Sequence, residues 1–194
     1  MRYFESTFTI RHVSPEWTNH YKIHQQVEAI IAGDTTGDKI KTPYVFDYDV
    51  SSGSKQAEIA VRTIQPTGLP GEQVLHLAAQ VGDSVCFGLH YRPQMNMTEC
   101  NKRNVYIRDK HKRIEKVIAR LEAAGLDPQL VDEIEETYRR FQKRQHKFLL
   151  GGARYFVKAV ITDPTLFEKA FTSGIGPKAS FGFGKIVLLP GVPS

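Results

Sequence analysis

The chain has 194 residues, 41% hydrophobic and 24% charged, with a formal net charge of +5. That balance excludes a disordered, collagenous or low-complexity chain, and the length leaves room for one ordinary domain or two small ones. Two cysteines, Cys86 and Cys100, make neither a disulfide framework nor a four-cysteine metal site. No apolar run approaches the roughly 20 residues that span a bilayer, and the first residues lack a signal-peptide core. The expectation is a soluble, cytoplasmic protein with no membrane partner.

Residues 2–11 alternate apolar with polar and predict a strand. Ser14-Pro15 predicts a helix opening, and the stripe Ile23, Val27, Ile30 and Ile31 carries the helix to Ala32, where Gly33 ends it. Strands are predicted at 43–50, 56–64 and 72–80, with a polar turn at 51–54 and a loop from Pro66 to Gly71. A further strand covers 84–91. A helix over 109–124 stops at Gly125, and Asp127-Pro128 predicts another with Leu130, Ile134, Tyr138 and Phe141 inward. A short strand at 146–150, a turn at Gly151-Gly152, a strand at 154–162, a helix from Asp163-Pro164 to Thr172 and a strand at 180–189 complete the chain. This order, β-α-β-β-β then β-α-α-β-β-α-β, resembles two ferredoxin-like units in tandem. The predicted fold is α+β: two RRM-like domains, residues 1–82 and 83–194, with antiparallel sheets facing a cleft.

The charge is localised. Residues 102–147 hold thirteen basic and eight acidic side chains, so this segment carries the whole excess and the rest is neutral. Such a field attracts polyanions, although charge runs on helices are often only solvated faces. On the predicted second helix, Arg139/Lys143 and Arg140/Arg144 lie four apart along one flank. With Lys147, that flank suits the phosphates of an RNA duplex; Arg108, Lys112 and Arg113 extend it. Tyr106, Phe141 and Phe148 lie among these cations, an arrangement that suits stacking on unpaired bases.

Candidate chemistry sits on the first helix. On a wheel with Ile23 at zero, Trp17, Tyr21, His24 and Glu28 cluster between about 100° and 160°, off the core stripe. Tyr21 and His24 are one turn apart, so their polar tips can converge on one atom, and histidine titrates near neutrality. Taken alone, such a pair on a helix flank is more often incidental. The run Gly174-Ile175-Gly176-Pro177-Lys178-Ala179-Ser180-Phe181-Gly182-Phe183-Gly184 either bares backbone amides for a phosphate or serves as a structural turn; its order after a helix is wrong for a Rossmann or Walker loop. Asp47 and Asp49 share a strand face and offer an alternative Mg²⁺ site. The other histidines show no zinc spacing.

Together, Tyr21-Lys22-Ile23-His24-Gln25 and the closing glycine run resemble the CRISPR repeat-processing endoribonuclease family, particularly its Cascade (type I-E) branch, or a type IV relative. The chain departs from that pattern at Lys178, one position early, and at Lys185, where leucine is usual. The resemblance implies tandem RAMP domains that bind a CRISPR repeat RNA hairpin (crRNA) and, with no metal or other cofactor, drive attack of a ribose 2′-OH on the adjacent phosphate. His24 would be the acid/base and Tyr21 its aid. RNA would contact Arg108, Lys112, Arg113, Arg139, Arg140, Lys143, Arg144, Lys147, Gly174, Gly176, Lys178, Ser180 and Gly182. Other effector-complex subunits are implied partners. The alternative is a scaffold that holds guide RNA without cutting it.

Overall fold

A computed structural model describes residues 1–11, 19–32, 44–50, 55–97, 103–143, 145–176 and 181–190. The elements run β1 (Arg2–Arg11), α1 (His20–Ala32), β2 (Tyr44–Asp49), β3 (Gln56–Thr63), β4 (Gln73–His76), β5 (Ser84–Tyr91), β6 (Gln94–Met97), β7 (Arg103–Tyr106), α2 (Lys110–Glu122), β8 (Leu126–Lys143), β9 (His146–Ile161), α3 (Pro164–Ser173) and β10 (Ile186–Leu188). Two antiparallel sheets have the orders β2-β3-β1-β4 and β10-β5-β9-β8. Numbered within each half, both read 4-1-3-2, the order of a ferredoxin-like unit. The α+β fold with two such sheets agrees with the sequence reading.

The first unit lacks its second helix. Pro66 and Pro70 interrupt any helical run, and Gly68 and Gly71 both adopt φ of +69°. The Glu72 carboxylate closes that loop by accepting from the backbone N–H groups of Thr67 and Gly68. Helix α2 starts at Asp109, whose side chain accepts from the N–H of Lys112, and ends before Gly125 at φ +76°. Helix α3 starts at Asp163 with Pro164 in its first turn. The stop of α2 at Gly125 and the start of α3 at Asp163-Pro164 follow the predicted signals.

The second half departs from expectation at 126–161. The predicted helix from Asp127 is strand β8, paired along its length with β9. Leu130, Ile134 and Tyr138, spaced like a helical stripe, are all exposed. The inward residues are Leu126, Glu133, Arg139 and Phe141. Two bulges, at Pro128/Leu130 and Glu133/Glu135, break the strand's alternation and so hid its period of two. Pro128 is tolerated because β8 is an edge strand.

Gly151 and Gly152 are likewise no turn but the middle of β9. A Cβ on Gly151 would lie 2.7 Å from the Tyr106 ring, and one on Gly152 would lie 2.5 Å from Phe183. The two glycines make room for an aromatic on each face of the strand. The hairpin of β6 and β7 is an addition that the sequence reading did not contain, and the predicted strand at 180–189 shrinks to β10.

Each sheet has its own core. Ile23 and Val27 of α1 pack with Phe46, Ile59 and Val61, while Val117, Leu121, Phe167 and Phe171 cover Phe87, Leu89, Tyr155 and Val157. Polar bolts join the halves. Arg62, on β3, is buried; its Nε donates to Glu5, and one terminal nitrogen donates to the carbonyls of Phe171 and Ile186. Its guanidinium lies 3.4 Å from the centroid of the Phe171 ring. Lys185, also buried, reaches Glu5 at 3.5 Å, so the lysine that stands where leucine is usual serves this junction.

A second bolt joins β2 to β8. Arg139 Nη2 is 3.3 Å from Asp47 Oδ1 and donates to the Tyr48 carbonyl, while its guanidinium lies over the Tyr48 ring at 3.9 Å. His90 Nδ1 faces the same carboxylate oxygen at 3.7 Å, and its Nε2 meets Thr137 Oγ1 at 2.8 Å. Burial alone would raise the Asp47 pKa, but His90 and Arg139 outweigh it and hold the carboxyl far below the usual range. Burial, aided by the Arg139 charge, pushes His90 down to about 4 against the pull of Asp47.

Gly151→Ala is expected to destabilise the fold by about 1–3 kcal/mol through overpacking against Tyr106, read as a lower urea midpoint at unchanged m value. The second bolt predicts acid sensitivity. Unfolded, His90 takes a proton near pH 6.5; folded, it waits until about 4. The unfolded chain then binds more protons between those values, so stability falls on acidification, by up to about 1.4 kcal/mol per pH unit. Below that window the depressed Asp47 carboxyl continues the fall. Urea unfolding of wild type and His90→Gln across pH 4–7 checks this: the variant should show a flatter profile.

Candidate functional site

The predicted opening at Ser14-Pro15 lies outside the described residues, and helix α1 runs from His20, capped by Asn19. Its Oδ1 accepts from the N–H of Tyr21 at 3.1 Å, as an N-cap should. The same oxygen accepts from the N–H of Gln142 at 3.1 Å, and Nδ2 donates to the Gln142 carbonyl at 3.2 Å. One side chain therefore starts the helix and fastens it to the far end of β8. Ile23 and Val27 turn into the first core, which leaves Tyr21 and His24 on the flank that the helical wheel indicated.

The Tyr21 and His24 rings lie 6.0 Å apart. The His24 side chain is 14% exposed, so it is cradled without being sealed, and its Nε2 is 3.8 Å from Glu28 Oε2. Its ring stacks on Phe181, centroids 4.6 Å apart and planes 28° from parallel. Phe181 is held from behind: Arg139 Nη1 donates to the carbonyls of Phe181 and Gly182 at 3.2 and 2.8 Å. Gly182 has φ +76°, and a Cβ there would lie 2.6 Å from the Tyr48 ring. On the other side of the helix start, His20 Nδ1 meets the Tyr48 hydroxyl at 2.6 Å. Burial raises the Tyr48 pKa, which keeps this phenol neutral.

The structure thus brings Tyr21 and His24 together at the junction of the two halves, against the end of the glycine run. It does not gather all the predicted cations there. Arg113 is buried and paired with Glu133 at 2.6 Å, and Arg139 is consumed by the junction. In a strand, neighbours point to opposite faces. Arg139 therefore turns inward while Arg140 stays exposed, and the expected helical flank does not exist. Arg108, Lys112 and Lys147 are exposed. The backbone of Lys143 closes β8. Arg144, Lys178, Ser180 and Trp17 lie outside the described residues.

Gly174 caps α3 at φ +81°, and a Cβ on Gly176 would clash with the Tyr91 ring, so the first answers the helix end and the second, like Gly182, a packing need. The two-aspartate metal site does not assemble: Asp47 is engaged by Arg139 and His90, and Asp49 is exposed beside Arg154 at 3.9 Å. Among the described residues no cluster of His, Cys, Asp or Glu could hold a metal ion, and no helix is long and apolar enough to cross a membrane. Three residues of the site, Asn19, His20 and Phe181, were absent from the candidates. An Asn ahead of a helical stripe is a cap signal; the partner contacts of His20 and Phe181 leave no local trace.

The fold matches known structures over nearly its whole length. Thermus thermophilus Cse3 bound to an RNA representing a pre-cleavage complex superposes with a TM-score of 0.75 at 14% identity, over 97% of this chain and 99% of that one. Cas6e from Escherichia coli K-12 gives 0.72 at 18% identity, over 96% and 99%. A chain of a CRISPR RNA-guided surveillance complex gives 0.65 at 16%, over 95% and 98%. No curated protein sequence matches. The family model described as CRISPR associated protein matches residues 7–190, and the chain accordingly belongs to that CRISPR-associated protein family.

Proposed function

We propose that this chain is a metal-independent endoribonuclease that binds a CRISPR repeat hairpin and cuts precursor crRNA at the base of its stem. The observation that carries the reading is the Tyr21–His24 pair, held against Phe181 at the junction of two ferredoxin-like sheets. Support comes from the Cse3 and Cas6e likeness, since those proteins are described as CRISPR endoribonuclease, RNA-bound complex and CRISPR-associated protein.

In this reaction the nucleophile is the substrate's own 2′-oxygen, so the protein need only place it in line and move protons. The 2′-O–P bond forms and the P–O5′ bond breaks. The proton leaves the 2′-OH and one arrives on the departing 5′-oxygen, giving a 2′,3′-cyclic phosphate and a 5′-OH. His24 is the acid/base, and the Tyr21 hydroxyl donates to a phosphate oxygen or orients the 2′-OH. Stacking on Phe181 fixes the imidazole plane and spares the rotational entropy that a free side chain would lose. The exposed cations Arg108, Lys112, Arg140 and Lys147 bind the backbone; Arg113 and Arg139 have no part in that contact. Product stays bound, as befits a subunit of a larger RNA-guided complex.

A CRISPR-repeat hairpin RNA incubated with the protein in EDTA tests this. Wild type should cleave. His24→Ala should lose about 10²- to 10⁴-fold in rate while still binding, and Tyr21→Phe on the order of tenfold. Binding by both proteins with cleavage by neither would replace the nuclease with a guide-RNA scaffold, and loss of activity in EDTA would bring metal chemistry back. Arg140→Glu and Lys147→Glu should each weaken binding and lower the slope of log affinity against log salt by roughly one.

A further inference from the structure

Pairing between β5 and β9 ends at Tyr91–Ala153, while pairing between β8 and β9 continues to Lys143–His146. Among the described residues, the far end of the second sheet is therefore a two-stranded ribbon. A groove of about 380 Å³ opens on it, lined by Arg140, Phe141, Lys147, Phe148 and Leu149, a size within the range of small-ligand clefts. Phe141 and Phe148 face one another across the register and stack with centroids 5.4 Å apart and planes 8° from parallel. Phe141 is 1% exposed and Phe148 41%. The buried ring braces the exposed one, which presents a flat apolar surface already held in place, so stacking on it costs little further ordering. The described lining residues include two cations and no acid.

The stack continues inward. Phe141 meets Phe181 edge-to-face at 5.4 Å, and Phe181 carries His24 at 4.6 Å. The groove is thus three ring-to-ring steps from the imidazole, within reach of a few nucleotides. A paired base has its faces covered by neighbours; an unpaired one offers a face to a ring and a phosphate to the cations beside it.

We propose that this groove is a subsite for one unpaired nucleobase close to the phosphate that His24 addresses, stacked on Phe148 with its backbone phosphate facing Arg140 or Lys147. This rests on reading the chain as RNA-binding and adds that the substrate carries a single-stranded nucleotide next to its stem. The probe is a single-stranded RNA hexamer with a central 2-aminopurine, titrated with full-length His24→Ala protein at low salt. Fluorescence should fall on binding. Phe148→Ala should abolish the quenching and weaken affinity roughly 5- to 100-fold; Phe148→Trp, which keeps a stacking face, should preserve both. A hexamer abasic at the centre should bind as weakly as the normal one binds Phe148→Ala, with no further loss when the two changes are combined.

Absence of binding, binding without quenching, or quenching that survives Phe148→Ala overturns the subsite; so does loss of quenching in a folded Phe148→Trp protein. The nuclease reading fails separately. Wild type that quenches the hexamer but cuts no hairpin keeps the subsite alone, and wild type that cuts through His24 without quenching keeps the nuclease alone.

Discussion

The arrangement depends on one guanidinium. Arg139 comes from the second sheet, pairs with a carboxylate of the first, stacks on Tyr48, and spends its remaining donors on the carbonyls of Phe181 and Gly182. Burying a charge is costly unless it is paired and its donors are met, and the contacts that meet them here come from two other segments, β2 and residues 181–182. Docking of the halves, the path of the chain after α3 and the ring behind His24 are therefore satisfied together. Removing the Asp47 partner would leave a buried cation at the centre of all three.

Much of this was legible in the sequence where local chemistry decides. Asp163-Pro164 announced a helix start, Gly125 announced an end, and the wheel of α1 placed Tyr21 beside His24. What failed was decided by partners distant in the chain. Strand β8 reads as a helix because two bulges disrupt its alternation and its exposed Leu130, Ile134 and Tyr138 imitate a stripe. Pairing with β9 overrides that local pattern. The glycines at 151 and 152 resemble a turn until Tyr106 and Phe183, remote in sequence, are seen to need their missing side chains.

The basic segment shows the same limit in charge. Composition located the excess correctly but could not tell which arginines hold the protein together. Arg113 and Arg139 lie 26 positions apart and serve different acids, Glu133 and Asp47, neither identifiable from spacing. Assigning Arg139 to a helix instead of a strand changes the face it occupies, so a single error in secondary structure moved it from the interior to the surface. Arg140 and Lys147 remained outside on either reading.

Asn19 has a mechanical consequence. Because one amide both begins α1 and grips the backbone of Gln142, the helix and the ribbon form a lever with a short arm. A force applied at the ribbon's end, one residue beyond Gln142 in β8, passes straight to the turn that bears Tyr21. On the proposed reading, holding and cutting are then not independent operations: how the ribbon leans would set how the phenol and imidazole are aimed.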